Sequence, residues 1–573
     1  AVSQVGYHPD QVKQAILELD ARTTTLETAV LKRLDADGFT TALADTPTRW
    51  GRWLCYEYAI FDFTAVREPG MYVVRYGDQA SPPFAIHPEV YRHNVWQPTL
   101  ETYFPVQMCH MEVRDKTRVW HGACHLDDAL QAPAPHVHFD GYHQYDATDT
   151  PYAPGEHIPH LDVGGWHDAG DYDLAAGSQA RTTHALCLIR ELFGVDTDRT
   201  TVVQAERLAV LHVPDGVPDI VEQVAHGVLS LLSGYHATAH TDHPHSFHGI
   251  IEATLAQYAH MGDAATMTDN RIYDLALAPG QIRCDAEGHI YASRNDDRWA
   301  FTNHDSALEY MVAAALAASS RVLRGYEDAL ADECLHTALR VWDYEQAHAP
   351  VAQPAAYVPR GVEAQEAVAA VELLLTTGEA RFRERLLALQ PTFEWTARFV
   401  GGAIARAVSV VDDAGFTARF RAALEASQAE FAAALASNPF GVQWQPHVWG
   451  EGWKIQQYAV ELYQIWRVFP DLVDREVILR VVNYVLGCHP ASNLSLTSGV
   501  GAESVTAAYG VNRGEWSSIP GGMVSGVSLI RPDFPELKAP WPFLWQQTEY
   551  VMPGAANYIF CVLAADALLN PAV

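Results

Sequence analysis

Two aspartates three positions apart, Asp168 and Asp171, lie in the stretch Asp162-Val163-Gly164-Gly165-Trp166-His167-Asp168-Ala169-Gly170-Asp171-Tyr172-Asp173. The small residues between them let the backbone turn tightly, so both carboxylates can converge on one water, one accepting its proton while the other orients it. The same pattern suits a helix cap or a calcium loop, so calcium stays open as a possible ion. Trp166 offers an apolar wall or a sugar-stacking face. A second chemistry resides in Cys109, Cys124, His125 and His167, a candidate tetrahedral Cys2His2 set that four protein ligands would close, as in structural zinc sites. Their spacing is not that of a small zinc finger, and His110, His121, His136, His138 and His143 are rival ligands. Glu549 follows a stretch containing Trp541, Phe543 and Trp545, surroundings that raise a carboxyl pKa and suit a general acid. Its plain alternative is an ordinary glutamate just ahead of the helix that starts near Pro553.

The elements that must position these groups change character along the chain. Residues 1–88 read as strands: Ala15–Leu19 alternates, Met71–Tyr76 follows the turn Glu68-Pro69-Gly70, and Phe84-Ala85-Ile86 closes the series. A small β-sandwich is expected there. Residues 89–573 read as helical, with apolar spacing of three and four over 220–229 and amphipathic segments near 304–324, 328–347, 364–376, 392–411, 416–436, 453–468, 473–487 and 553–569. Helices without intervening strands exclude Rossmann and TIM patterns, and the lack of a fixed-period repeat counts against a solenoid, leaving a bundle or a closed α/α barrel. Polar segments at 134–178, 440–453 and 488–550 are expected to be functional loops.

Asp and Glu number 70 against 38 Lys and Arg, giving a formal charge of −32. Such a surface repels nucleic acid and anionic lipid and accepts neutral or cationic polymers, although acidity also serves solubility alone. No uninterrupted apolar run reaches the roughly 18 residues of a membrane helix, so no membrane partner is expected. The 8 cysteines do not form a disulfide framework in a chain this long, and Cys187, Cys334 and Cys561 read as core. Ala1 in place of an initiator Met suggests a processed or trimmed chain, which favours a secreted or periplasmic location; the oligomeric state stays open.

Gly164 to Tyr172, GGWHDAGDY, resembles the signature of glycoside hydrolase family 9, the cellulase-like family. Further segments resemble it in the same order. Ser3-Gln4-Val5-Gly6-Tyr7 is similar to the start of the immunoglobulin-like domain that precedes some of its members. Asp215–Ile220, Gly487-Cys488-His489-Pro490 with Thr497–Gly501, Pro520–Val524 and Gln547-Thr548-Glu549 follow. The resemblance implies an (α/α)6 barrel behind a β-sandwich. It also implies inversion at the anomeric carbon, which needs acid and base about 6.5–9.5 Å apart on opposite faces of the sugar. On this chain it makes Asp171 the base, Asp168 its water-holding partner and Glu549 the acid. The surroundings of Cys109, Cys124, His125 and His167 resemble the zinc-binding version of the family.

Where many members carry a sugar-binding HHR or HDR triplet, this chain has Val511-Asn512-Arg513, retaining Arg513 with Asn512 beside it. His489 and Trp449, the latter in Trp449-Gly450-Glu451-Gly452-Trp453, are further candidate sugar contacts, and Glu451 or Asp173 could meet an amino sugar. The expected substrate is a β-1,4-glucan of the cellulose type or a cello-oligosaccharide. An exo-β-glucosaminidase on chitosan oligosaccharides and a non-catalytic carbohydrate-binding protein are the alternatives. The His-rich loop at 134–160 could block one end of the cleft and favour exo action. A zinc hydrolase is disfavoured because four protein ligands leave no open metal position.

Overall fold

The computed structural model describes residues 1–571 except 21, 37, 139–140, 149, 170–171, 239–248, 252–267, 295–296, 444–448, 491, 506–518 and 529–544. Nine strands come first: β1 (Gly6–Tyr7), β2 (Gln14–Leu19), β3 (Ala29–Asp35), β4 (Gly38–Asp45), β5 (Thr48–Trp53), β6 (Tyr56–Asp62), β7 (Gly70–Tyr76), β8 (Gln79–Ala80) and β9 (Phe84–Ile86). The helices used below are α1 (Gln97–Thr102), α2 (Ala176–Phe193), α3 (Asp219–Thr238), α4 (Ser306–Leu323), α5 (Asp328–Ala347), α6 (Val362–Thr377), α7 (Ala380–Leu389), α8 (Phe393–Val411), α9 (Ala414–Ala436), α10 (Gly452–Val468), α11 (Arg475–Val485) and α12 (Met552–Leu569). The chain packs as two compact units, one of residues 1–102, 421–509 and 515–573, the other of residues 103–420 and 510–514.

In the first unit the strands form two sheets, β1-β9-β7-β3-β4 with β8 beside β7, and β2-β6-β5. Leu31 on β3 faces Val74 on β7, and both join Tyr7, Phe61, Phe63, Tyr72, Phe84 and Ile86 in one buried cluster. Each such side chain removed from water contributes about 1.5–3 kcal/mol. The opening Ser3-Gln4-Val5-Gly6-Tyr7 motif clamps a loop after α11. The Gln4 N–H donates to the Leu486 carbonyl (2.6 Å), its side-chain amide donates to the Asn493 carbonyl (2.5 Å), and its own carbonyl accepts from the Ala502 N–H (2.9 Å). At Gly501, φ +93°, a Cβ would lie 2.7 Å from that of Gln4, so only glycine admits the clamp. Helix α12 packs on α10 and α11. It has the length and mean hydropathy (1.4) of a membrane span, a match that counting uninterrupted apolar runs misses, but 83% of it is buried inside the fold and it serves as a core helix.

In the second unit α2, α4, α6 and α8 pack in succession, with α3 and α5 against α4. The Asp305 carboxylate caps α4, accepting from the Ala307 and Leu308 N–H groups at 3.0 and 3.1 Å. Contrary to the expectation of helices alone, short strands lie among them. Glu112–Arg114, Val119–His121, Thr200–Val203 and Leu208–Leu211 form one sheet; Leu130–Gln131, Leu174–Ala175, Gly249–Ile251 and Trp299–Phe301 form another. At two to four residues each they are too short to show alternation in sequence.

One buried carboxylate ties four of these helices. Glu372 of α6 accepts from Arg321 of α4 (2.6 Å), His184 of α2 (2.8 Å) and Arg406 of α8, while Glu191 of α2 takes second bonds from Arg321 (2.7 Å) and Arg406 (3.0 Å). Burial alone would raise the Glu372 pKa, but Arg406, His184 and Arg321 hold it well below the ordinary 4.5. A depressed carboxyl pKa adds stability above the unfolded-state value and loses it as pH falls toward the folded one. Thermal melting followed down from pH 7 should therefore show Glu372 contributing to the fall in Tm below about pH 4.5. Glu372→Gln should lose about 3–5 kcal/mol at pH 7, because two guanidinium groups lose a buried partner, and should show a shallower acid limb.

Candidate functional site

The stretch from Gly164 to Asp173 has little regular structure, so its backbone polar groups must find partners one by one. Gly164, at φ +66°, runs against α3: a Cβ there would sit 2.5 Å from the His226 carbonyl and 2.7 Å from the Ser230 nitrogen. Gly165 exchanges bonds with His226, its N–H donating to the His226 carbonyl (3.0 Å) and its carbonyl accepting from His226 Nε2 (2.7 Å). Gln179 of α2 brackets Trp166, accepting its N–H at 3.0 Å and donating to its carbonyl at 2.7 Å. The Trp166 indole is 0% exposed and donates to Gln223 of α3 at 2.7 Å. This corrects the expectation of a sugar-stacking face: Trp166 is an internal anchor for the loop.

His167 follows, its N–H donating to the Gln107 carbonyl (2.9 Å), and then Asp168, only 2% exposed. Asp168 donates its N–H to the Asp173 carbonyl (3.0 Å) and accepts at Oδ2 from the Ser178 hydroxyl at 3.1 Å. Arg181, one helical turn on from Ser178, is a cation within electrostatic reach of Asp168. Asp171 lies outside the described residues.

Cys109, Cys124, His125 and His167 come together as the sequence suggested, all buried, with ligand atoms within 4.8 Å of one another. Cys109 Sγ is 3.6 Å from Cys124 Sγ and 3.7 Å from His125 Nδ1, and Cys124 Sγ is 3.6 Å from His167 Nε2. Tyr172 packs over the cluster, its ring 5.2 Å from that of His125 and 4.9 Å from that of His167. The rival histidines are not part of this set, although the His121 ring lies 5.5 Å from that of His167. His121 bonds the Met111 carbonyl (3.2 Å), His136 and His138 pack on Phe301, and His143 stacks on Tyr145. His110 bridges the Gly164 carbonyl, 2.8 Å from Nδ1, and Asp128 Oδ2, 3.0 Å from Nε2, with Arg298 Nη2 3.3 Å from the same Nε2. Burial pulls its pKa down, but the Cys109 sulfur and Asp128 outweigh it and bring it to about 10. Among the described residues no second group of three or more His, Cys, Asp or Glu side chains converges in this way.

In the other unit, Glu549 is half-buried and outside any helix. Its carbonyl accepts from the Ser525 N–H (2.6 Å), and its Oε2 accepts from the Trp449 indole N–H at 3.0 Å. Trp449 meets Trp453 edge-on at 5.9 Å. Gly450 donates to the Gln546 carbonyl (2.8 Å) and Gly452 to the Ser525 carbonyl (3.0 Å), so the WGEGW, PGGMV and QTE motifs assemble around Glu549. Glu451 is buried beside Lys454 (3.3 Å) and Asp173 is buried as well, so neither is a solvated loop acid. His489, expected at the sugar, is 1% exposed, with Nε2 on the Leu494 carbonyl at 2.8 Å and its ring against Tyr484; it braces the loop after α11. Asn512, Arg513, Trp541 and Phe543 lie outside the described residues.

The family model "Glycosyl hydrolase family 9" matches residues 98–520, and "Cellulase N-terminal ig-like domain" matches residues 1–81. Similar solved structures include a metagenome-derived glycoside hydrolase family 9 endoglucanase (23% identity, TM-score 0.74, covering 99% of this chain and 98% of that one). Another is AaCel9A in complex with cellobiose-like isofagomine (18% identity, TM-score 0.69, 99% of each chain). A third is a zinc-binding triple mutant of the family 9 endoglucanase J30 (20% identity, TM-score 0.71, 98% and 99%). No protein of curated function matches the sequence. The architecture is an immunoglobulin-like β-sandwich followed by an (α/α)6 barrel. The chain belongs to glycosyl hydrolase family 9 and is a glycoside hydrolase.

Sequence reasoning missed Asp128 and Arg298, which bond each other inside the second unit, because nothing near either marks it as more than a surface charge. Gly164→Ala should lower stability by more than about 2 kcal/mol in thermal denaturation, since both its positive φ and the α3 backbone oppose a Cβ.

Proposed function

We propose that the protein is an inverting hydrolase of β-1,4-linked glucans, acting on cellulose-type chains or cello-oligosaccharides. The observation that carries this reading is Glu549, a half-buried carboxyl whose Oε2 is held at 3.0 Å by the Trp449 indole beside a second tryptophan. That wall offers aromatic surface to a sugar and a positioned acid to its leaving oxygen. The endoglucanase relatives, one of them holding cellobiose-like isofagomine, support a glucan over other sugars.

In this reading Asp171 removes a proton from the attacking water, and Asp168, fixed by Ser178, orients that water. Glu549 protonates the departing oxygen. Arg513 and Asn512 contact the sugar next to the scissile bond. Asp171→Asn should lower turnover about 10³-fold with little change in substrate binding. Glu549→Gln should lose less on aryl cellobiosides with good leaving groups than on cellotetraose. Proton NMR of fresh cellotetraose digests should show the α-anomer first. Early β-anomer would overturn inversion, and release of glucosamine from chitosan tetraose alone would shift the substrate to amino sugars.

The Cys109, Cys124, His125 and His167 cluster fits zinc. Bonds of about 2.3 Å to sulfur and 2.0 Å to nitrogen in a tetrahedron place sulfurs about 3.8 Å apart and sulfur–nitrogen pairs about 3.5 Å apart. The observed 3.6–3.7 Å separations agree. Zinc held by these four ligands supplies structural cross-linking rather than an open reactive position. Prolonged chelation should remove one equivalent of zinc and lower Tm sharply, with turnover falling only as the loop loosens. Full Tm after complete metal removal would count against the site.

A further inference from the structure

The two shoulders of the Gly164–Tyr172 loop are tied together by a buried charged relay. His110, Asp128 and Arg298 are each 1% exposed or less. His110 Nδ1 lies 2.8 Å from the Gly164 carbonyl, and its Nε2 lies 3.0 Å from Asp128 Oδ2 and 3.3 Å from Arg298 Nη2. Arg298 grips Asp128 with two nitrogens, Nε at 2.9 Å from Oδ1 and Nη2 on Oδ2. Its Nη1 donates to the Tyr172 carbonyl at 2.5 Å, and Nη2 also reaches Cys109 Sγ at 3.3 Å.

We propose that Arg298 is a positioning residue for the hydrolytic reaction: with Asp128 and His110 it holds the Gly164 and Tyr172 carbonyls and so sets the loop bearing Asp168 and Asp171. The proposal rests on the assignment of Asp171 as base. Stability alone does not call for this arrangement, because well-packed apolar side chains commonly serve a buried site as well as ions do. What apolar groups cannot do is donate to two carbonyls at opposite ends of one loop. Arg298 sets three separate nitrogens on three acceptors, both Asp128 oxygens and the Tyr172 carbonyl, whereas a lysine ammonium would have to serve all three from a single nitrogen. Misplacing a catalytic group by about 1 Å costs on the order of 10²-fold in rate, so the relay acts on turnover.

The test compares zinc-loaded, full-length Arg298→Lys, His110→Gln and their double variant with wild type. Arg298→Lys should lower kcat on cellotetraose about 10–100-fold, as loss of a supporting hydrogen bond around a metal site does. KM should stay within about threefold, and zinc content by elemental analysis should be unchanged. The loss should be the same on aryl cellobiosides with good leaving groups, because it lies on the base side. The double variant should be no slower than about the worse single one, since both residues belong to one network joined at Asp128 and set the same loop. A lower Tm with wild-type kcat would overturn the proposal. So would a loss reversed by added zinc, or losses that multiply independently. Should Arg298→Lys not fold, Asp128→Asn and His110→Gln carry the same test, and wild-type kcat in both would sink it. Asp171→Asn is the control. If it keeps full activity, the base assignment fails by itself; if it is inactive while Arg298→Lys is fully active, only the positioning role fails.

Discussion

A loop with little regular structure satisfies few of its own backbone groups, and those that are buried cannot be left unpaired. Much of the second unit is arranged around that constraint. Gln107, Gln179 and His226 satisfy the backbone of Gly165, Trp166 and His167, while Ser178 holds the Asp168 side chain. These partners come from the segment after α1, from α2 and from α3, so those elements must pack correctly before the loop has any shape. The Trp166 indole adds the apolar part, filling the space left where α3 carries Gly227 instead of a larger residue.

The acidic composition meets a second constraint inside the protein. Only five of the 38 basic residues are lysine. Arginine is the cation that can share one buried carboxylate with a neighbour or bridge a carboxylate and a carbonyl, because its donors are spread over a rigid plane. Glu372 takes two arginines and a histidine; Asp128 takes one arginine and a histidine. In both places the charge is neutralised by several partners at once, the condition under which a fully buried ion is tolerable.

The long helices were legible because each buries one apolar face: α5 lies at the expected 328–347, and α4, α6, α8, α9, α10 and α12 fall within about two residues of expectation. Helix α2 was not legible, for a physical reason. Its first turns read Ala176-Gly177-Ser178-Gln179-Ala180, and Ser178, Gln179, Thr182 and Thr183 are buried on it. The side that meets the loop is polar because it hydrogen-bonds the loop, so function erased the hydrophobic pattern that would have announced the helix. The Asp168 loop and the Cys2His2 set were legible from residue type only together with the family resemblance, because a pair of aspartates also suits a helix cap and several other histidines lie close in sequence. Trp166 and His489 misled because an aromatic residue or a histidine in a motif looks the same whether it faces a sugar or the core. Burial, which separates those cases, is a property of the fold around them.

The choice of a Cys2His2 cluster over a disulfide follows from the same loop. A bond between Cys109 and Cys124 would close a 15-residue segment and leave the Asp168 loop untouched. Their sulfurs stand 3.6 Å apart, well beyond the roughly 2.05 Å of a disulfide, and each faces an imidazole instead. Through His167 the cluster reaches the residue next to Asp168, 43 positions from Cys124. A metal held there therefore joins the Cys109, Cys124 and His125 segments to the loop at one point, whereas a disulfide would join only the first two. Tyr172, packed over both imidazoles and held by Arg298 through its carbonyl, ties the far end of the loop to the same centre. On the proposed assignment of the base, a metal held by these four ligands would bear on catalysis without an open position for chemistry, by removing freedom from the segment that carries Asp168.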